Sequence, residues 1–139
     1  MDKTFKLLLL FLAISLVVFV LVGCSKQVAK STDNKSDGYQ KITAAAVKSR
    51  LDNGEKLIIV DVRTKEEYDT GHIKNSILIP YDEIEAKAAS LLTDKNASII
   101  VYCRSGRRSE IAAKSLLKLG YTNVADMGAI SDWKYGLDK

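Results

Sequence analysis

Two short apolar runs, residues 57–62 and 98–102, constrain the fold of this 139-residue chain more than any other feature of its sequence. Both are rich in β-branched residues and lack the strict alternation of polar and apolar side chains that marks a strand with one solvated face. Each run therefore predicts a strand that is covered on both faces. Such strands are typical of the middle of a parallel sheet.

Helical patterns separate the predicted strands. Thr43 is a favourable N-cap for a helix over residues 44–53, and Thr64 with Glu67 forms a capping box for a short helix that ends at Gly71. The other predicted elements are strands at residues 39–42, 77–80 and 123–127, helices at 82–92 and 109–119, and a helical turn at 130–135. This alternation predicts an α/β domain with a central, mostly parallel sheet flanked by helices, whose sites lie at the carboxyl ends of the strands.

The first 23 residues have the character of an export signal and not of a folded segment. Lys3 and Lys6 precede an apolar run over residues 7–22 that is interrupted only by Ser15. A basic start followed by such a run is typical of a secretory signal peptide. The alternative is an uncleaved membrane anchor, but the run is shorter than the roughly 20 residues that span a bilayer.

The residues around Cys24 resemble the lipobox of bacterial lipoproteins, in which the cysteine after the cleavage site becomes the lipid-bearing N-terminus. The matching residues are Leu21, Val22, Gly23 and Cys24. Residues 25–38 are rich in Ser, Lys, Asp and Asn and contain too few apolar side chains to fold. We therefore expect a signal peptide at 1–23, a lipidated Cys24 with a flexible tether at 24–38, and one domain at 39–139. The lipid would hold that domain on the outer or periplasm-facing side of the bacterial cell membrane.

The charge and the cysteine count exclude several classes of function. The net charge of +4 is too mild to indicate a nucleic-acid partner. The chain contains two cysteines, and lipidation of Cys24 would leave Cys103 as the single thiol. An internal disulfide and a dithiol mechanism are then excluded. No set of His, Cys and carboxylates has the spacing of a metal site, and no cofactor is predicted.

Cys103 follows the second apolar run, and a helix is predicted to begin six residues later. A short loop between a strand and a helix N-terminus turns backbone N–H groups inward, and the helix dipole adds positive potential there. Arg104, Arg107 and Arg108 add positive charge, so this environment favours a thiolate over a thiol. The alternative is a buried cysteine that closes a core strand beside a solvated basic turn.

This loop and several other segments resemble the rhodanese-like sulfurtransferases. The segment that resembles the family's active-site loop is Cys103-Arg104-Ser105-Gly106-Arg107-Arg108-Ser109. Matches to the family's N-terminal signature, in order and spacing, are Asp61-Val62-Arg63, Glu66-Glu67-Tyr68, Gly71-His72-Ile73, Asn75-Ser76-Ile77 and Ile79-Pro80. The family's C-terminal signature is similar to the segment Gly128-Ala129-Ile130 with Trp133 and Gly136. The resemblance covers residues 39–139 and implies a rhodanese-like domain.

The resemblance implies a persulfide relay at Cys103. The thiolate attacks the outer sulfur of thiosulfate, releases sulfite, and carries the sulfur until a thiophilic acceptor takes it. We expect Arg104 and Arg108 to be exposed and to meet the anionic donor. The family's loop would also place Ser105, Gly106, Arg107 and Ser109 around the substrate and the persulfide. The expected partners are a small anionic sulfur donor and a thiophilic acceptor, and the domain is expected to be a monomer.

Some residues of the loop and of the signatures also have structural interpretations. Ser109 is a candidate N-cap for the following helix. Asp61 is expected to accept hydrogen bonds from nearby backbone N–H groups, and Arg63 to pair with Glu67. His72 is interpreted as a hydrogen-bonded turn residue, because an ionised thiolate needs no general base. Trp133 is interpreted as part of the core.

Two other functions compete with sulfur transfer. A cysteine phosphatase or arsenate reductase also places a thiolate in an anion-binding loop after a strand, but its signature requires Cys, five residues, then Arg. Ser109 occupies that position here, and Tyr102 precedes the cysteine where a histidine is expected. The non-enzymatic alternative is a membrane-tethered module that binds or stores sulfane sulfur without turnover. The intact basic loop around Cys103 favours an enzyme.

Overall fold

Strands and helices alternate along residues 38–139, the part of the chain that the computed structural model describes. The strands are β1 (Gln40–Lys41), β2 (Leu57–Asp61), β3 (Ile77–Leu78), β4 (Ser98–Cys103) and β5 (Val124–Ala129). The helices are α1 (Ala44–Asp52), α2 (Lys65–Thr70), α3 (Ile84–Leu91) and α4 (Arg107–Lys118), with 3-10 turns at Tyr81–Glu83 and Ile130–Asp132. Within this range no helix has the length and apolar character needed to cross a bilayer. The predictions for the signal peptide, Cys24 and the tether up to residue 37 lie outside the described residues.

The five strands form one sheet in the order β1-β5-β4-β2-β3, and all neighbouring strands are parallel. The predicted α/β fold with a parallel central sheet is therefore confirmed. The two apolar runs of the sequence became the neighbouring strands β2 and β4, which pair from Leu57 with Ser98 to Asp61 with Tyr102. Because parallel strands end at the same edge of a sheet, this register places Asp61 beside the strand that ends in Cys103.

Both faces of the sheet are covered, which explains why β4 shows no polar alternation. Ile99, Val101 and Cys103 belong to the cluster that packs against α3 and α4. Ile100 and Tyr102, which point to the opposite face, belong to the cluster that packs against α1. Each large apolar side chain buried in these layers contributes about 1.5 to 3 kcal/mol to folding. The layers fix the strand that carries the thiol and the helix that follows it.

Several predicted ends differ from the observed ends. The helix predicted to begin at Ser109 begins two residues earlier, at Arg107. The predicted turn over residues 130–135 is only the 3-10 turn Ile130–Asp132, and Trp133 has an extended backbone. On α3 the helical period leaves open whether Leu91 or Leu92 faces inward. The structure buries Leu92 and leaves Leu91 exposed.

Candidate active site

The Cys103 thiol lies at the carboxyl end of β4, at the edge of the sheet where α/β folds place their sites. Its residue has 0% of its surface exposed, and its side chain is on the face covered by α4. Since β4 is the middle strand of the sheet, the strand that carries the thiol is held between β5 and β2. The predicted placement of the thiol between a buried strand and a helix N-terminus is confirmed.

Gly106 shapes the loop around the thiol. Its backbone N–H donates a hydrogen bond to the Cys103 Sγ atom at 3.0 Å. Its φ of 97° is a left-handed conformation that residues with a Cβ atom rarely adopt. This conformation turns the chain directly from the loop into α4, so that the helix begins at the next residue, Arg107.

Ser109 faces the thiol from the first turn of α4. The Cys103 thiol donates to the Ser109 Oγ atom at 3.6 Å, and the Ser109 hydroxyl donates to the Gly106 carbonyl oxygen at 2.9 Å. Ser109 is fully buried and lies inside the helix, so its predicted role as the N-cap is wrong. Gly106, with its left-handed backbone, occupies the N-cap position instead, and the helix begins at the next residue.

The pKa of Cys103 reflects two opposing effects. Burial raises the pKa of the thiol, because an apolar environment disfavours the charged form. Hydrogen bonding with the Ser109 hydroxyl, together with the backbone N–H groups of Ser109, Ser105 and Gly106, lowers the pKa, and these effects outweigh burial. The pKa of Cys103 therefore lies below its ordinary value. The site favours a thiolate, which is the nucleophilic form of cysteine.

Arg108 forms an ion pair with Glu67, 41 residues earlier in the chain. Its two terminal nitrogens, Nη1 and Nη2, donate to the two carboxylate oxygens at 2.6 and 2.8 Å. The Arg108 side chain is only 17% exposed, so the prediction that it is exposed is wrong. Hydrogen bonding by Arg108 lowers the pKa of Glu67 to about 2. Tertiary packing thus couples α2 to the start of α4.

The predicted ion pair between Arg63 and Glu67 is also wrong. Arg63 instead pairs with Asp61, donating from Nη2 to the Oδ2 atom at 2.6 Å and from Nε to both carboxylate oxygens. Asp61 accepts the Arg63 backbone N–H at 2.9 Å, as expected for a carboxylate at a strand end. It also accepts a hydrogen bond from the Tyr102 hydroxyl at 2.7 Å. These contacts fix the end of β2 beside the end of β4.

The other two arginines of the loop differ from Arg108. Arg104 and Arg107 are exposed, as is Ser105 between them. Within residues 38–139, no carboxylate forms an ion pair with Arg104 or Arg107. The structure therefore confirms the expected exposure of Arg104 and leaves two loop arginines without an ion pair within the described residues.

His72 and Trp133 have structural contacts. The Nδ1 atom of His72 lies 3.1 Å from the Tyr68 carbonyl oxygen, and the two rings stack with their centroids 3.7 Å apart. This agrees with the interpretation of His72 as a hydrogen-bonded turn residue. Trp133 packs against the cluster beneath α1 and donates from its indole nitrogen to the Gly136 carbonyl oxygen. Trp133 is only partly buried and lies at the margin of that cluster, so the prediction that it is part of the core is wrong.

A cavity of about 420 Å³ lies away from the thiol. Its wall includes Ile59, Ile73 and Trp133, which belong to the layer on the α1 side of the sheet. No residue of the loop from Cys103 to Ser109 lines it. The sequence did not predict this cavity, because its wall comes from segments that are far apart in the chain.

Comparison with known proteins agrees with this fold. The model of the rhodanese-like domain family matches residues 43–135, which is more than half of the chain. The chain therefore belongs to the rhodanese-like domain family.

Two curated relatives have similar sequences. YrkF of Bacillus subtilis, whose name proposes a sulfur carrier protein, is 38% identical over 104 residues, which cover 74% of this chain and 55% of YrkF. The thiosulfate sulfurtransferase PspE of Escherichia coli is 38% identical over 73 residues, which cover 52% of this chain and 70% of PspE. The chain thus spans about half the length of the Bacillus relative.

Solved structures show the same fold. A rhodanese with anions from E. coli has a TM-score of 0.58 and 34% sequence identity, covering 60% of this chain and 99% of its own. A rhodanese-like domain protein from Staphylococcus aureus has a TM-score of 0.62 and 34% identity, covering 70% of this chain and 95% of its own. These likenesses support the assignment of the domain over the described residues.

Proposed function

We propose that this protein is a sulfurtransferase that moves sulfane sulfur from thiosulfate, or a related anionic donor, to a thiophilic acceptor through a persulfide on Cys103. The observation that supports this most directly is the buried thiol that accepts the Gly106 N–H at 3.0 Å and has a lowered pKa. The name of the E. coli relative, a thiosulfate sulfurtransferase, supports the choice of donor.

The chemistry follows from the thiolate. The Cys103 sulfur attacks the outer sulfur of thiosulfate, and the bond between the two thiosulfate sulfurs breaks, with its electron pair leaving on sulfite. The product on the protein is Cys103–S–S⁻, and no proton needs to move. Inward N–H groups such as that of Gly106 stabilise both the thiolate and the persulfide anion, because these donors are already oriented before reaction.

A phosphatase function is less well supported by this geometry. Phosphatase chemistry requires an arginine six residues after the cysteine, and that position is Ser109, whose hydroxyl contacts the thiol. The preceding residue, Arg108, is paired with Glu67 and is not free to surround a phosphate. A non-catalytic sulfur carrier remains the second candidate, and the name of the Bacillus relative favours it. Turnover with an acceptor distinguishes the carrier from the enzyme.

We expect the purified chain to gain the mass of one sulfur atom on Cys103 when it is incubated with thiosulfate. Cyanide or dithiothreitol should remove that mass and restore the thiol. Intact and peptide mass spectrometry measure both steps, and repeated cycles separate an enzyme from a carrier. The Cys103→Ser variant, which keeps a small hydrogen-bonding side chain at the strand end, should show no adduct. An unmodified Cys103 together with hydrolysis of an aryl phosphate would assign the protein to the phosphatase class.

We also propose that the chain is exported, cleaved before Cys24 and anchored by a lipid on that cysteine, with a monomeric domain outside the membrane. The support is the basic start, the apolar run over residues 7–22 and the lipobox-like residues before Cys24. Metabolic labelling with a fatty acid should mark the wild-type protein and not the Cys24→Ser variant. Equal labelling of the two proteins would contradict the proposed anchor.

A further inference from the structure

The three arginines of the active-site loop fall into two groups. Arg108 is largely buried and bound to Glu67, whereas Arg104 and Arg107 are exposed and form no ion pair within residues 38–139. We propose that Arg104 and Arg107 form a cationic rim that selects the sulfur acceptor, and that the preferred acceptor is a thiol flanked by carboxylates. This inference rests on the proposed sulfur transfer, and it names the class of acceptor that the sequence left open.

Arg108 contributes little to this rim because its charge is matched. Both terminal nitrogens of its guanidinium are bound to the two oxygens of one carboxylate, at 2.6 and 2.8 Å. Paired opposite charges largely cancel at distances greater than their own separation. Of the three loop arginines, Arg104 and Arg107 therefore contribute most to the positive potential that an approaching acceptor meets.

The transfer step itself creates the need for such a rim. The acceptor thiolate attacks the outer sulfur of Cys103–S–S⁻, a new sulfur–sulfur bond forms on the acceptor, and the Cys103 sulfur leaves with the electron pair of the broken bond. Two anions must therefore approach each other, and nearby cations lower that cost. The Cys103 residue is 0% exposed, whereas Arg104 and Arg107 beside it in the chain are exposed, so an acceptor that comes to this loop meets the two guanidinium groups.

The charge of the acceptor then determines how fast the outer sulfur is transferred from the Cys103 persulfide to the acceptor. Carboxylates beside the acceptor thiol would meet the two exposed guanidinium groups, whereas ammonium groups would be repelled. Each exposed charge pair has a small effect alone, but two such pairs together change a rate constant by about tenfold. Because both cations are exposed, salt should screen the effect.

Three capped tripeptides test this inference: Glu-Cys-Glu, Gln-Cys-Gln and Lys-Cys-Lys. The full chain is first loaded with thiosulfate, the persulfide on Cys103 is quantified by mass spectrometry, and its discharge to each peptide is then timed. Rate constants are divided by the thiolate fraction of each peptide, obtained from its own titration. We expect the acidic peptide to react about tenfold faster than the basic one at low salt, with the difference shrinking as salt is added.

Two double variants with equal net charge locate the effect. In Arg104→Gln/Arg107→Gln, fully loaded by longer incubation if needed, the acidic and basic peptides should differ by less than about twofold. The control is the double variant Lys56→Gln/Lys118→Gln. Lys56 comes just before the start of β2 and Lys118 ends α4, so both exposed cations lie at the ends of these elements that are opposite to the Cys103 loop, and the tenfold preference should remain. Equal rates for all peptides with the wild-type chain, or an unchanged preference in the arginine variant, would overturn the rim. Failure to form any adduct would instead contradict the proposed function.

Discussion

Replacement of Arg63 by methionine is expected to lower the free energy of unfolding by about 3 kcal/mol. Arg63 makes three hydrogen bonds to the Asp61 carboxylate and one to the Gly71 carbonyl oxygen, and its side chain is only 6% exposed. The variant leaves a buried carboxylate without its cation. Two donors to Asp61 remain, the backbone N–H of residue 63 and the Tyr102 hydroxyl, so the loss should lie at the low end for a broken buried pair. Urea unfolding measures it.

Two further variants separate the ion pair from other effects of the substitution. Arg50→Met makes the same change in a more exposed pair with Glu55 and should cost less than about 1 kcal/mol. The double variant Asp61→Asn/Arg63→Met removes the buried charge and should recover part of the stability lost in Arg63→Met. If Arg63→Met unfolds at the same urea concentration as Arg50→Met, the pair between Asp61 and Arg63 does not stabilise the fold.

The pairing of Arg63 shows where reasoning from the sequence reached its limit. The spacing of four residues between Arg63 and Glu67 suggested an ion pair, but that spacing brings side chains together only within a helix. Arg63 precedes α2, which begins at Lys65, so its side chain turns back to Asp61. Glu67 is left to join the predicted capping box with Thr64 and to bind Arg108. The partner of Glu67 is set by the tertiary fold and not by local spacing.

The fold class and the place of the thiol could be predicted because both depend on local patterns. A strand whose side chains are apolar on both faces requires a sheet that is covered on both sides, and Cys103 lies at the end of such a strand. The start of α4 was missed for a local reason: serine is a preferred N-cap, so the helix was placed at Ser109. A glycine in a left-handed conformation also begins a helix, and Gly106 does so here. With the helix starting two residues earlier, Ser109 is not its N-cap, but its hydroxyl contacts the thiol, as the resemblance implied.

The contact between the Ser109 hydroxyl and the Cys103 sulfur has a large expected effect on reactivity. In the Ser109→Ala variant, alkylation of Cys103 at a pH below the wild-type midpoint should slow about tenfold, which corresponds to one lost hydrogen bond to a charged group. The hydroxyl contacts the sulfur at 3.6 Å and is one of the groups that lower the pKa of Cys103. To stabilise the thiolate, this hydroxyl has to turn from the Gly106 carbonyl oxygen, to which it donates in the structure, and donate to the sulfur. Its loss raises the pKa of Cys103.

The pH dependence of alkylation and of stability distinguishes this effect from a general disturbance of the helix. A peptide-level assay of Cys103 should show the midpoint moving to higher pH in Ser109→Ala, with the plateau rate at high pH little changed. Because the folded chain holds Cys103 at a lowered pKa, stability rises with pH as the thiol ionises, and this slope should diminish in the variant. Ser115→Ala, on the same helix, should change neither quantity. An unshifted midpoint in Ser109→Ala would mean that the backbone N–H groups alone hold the thiolate.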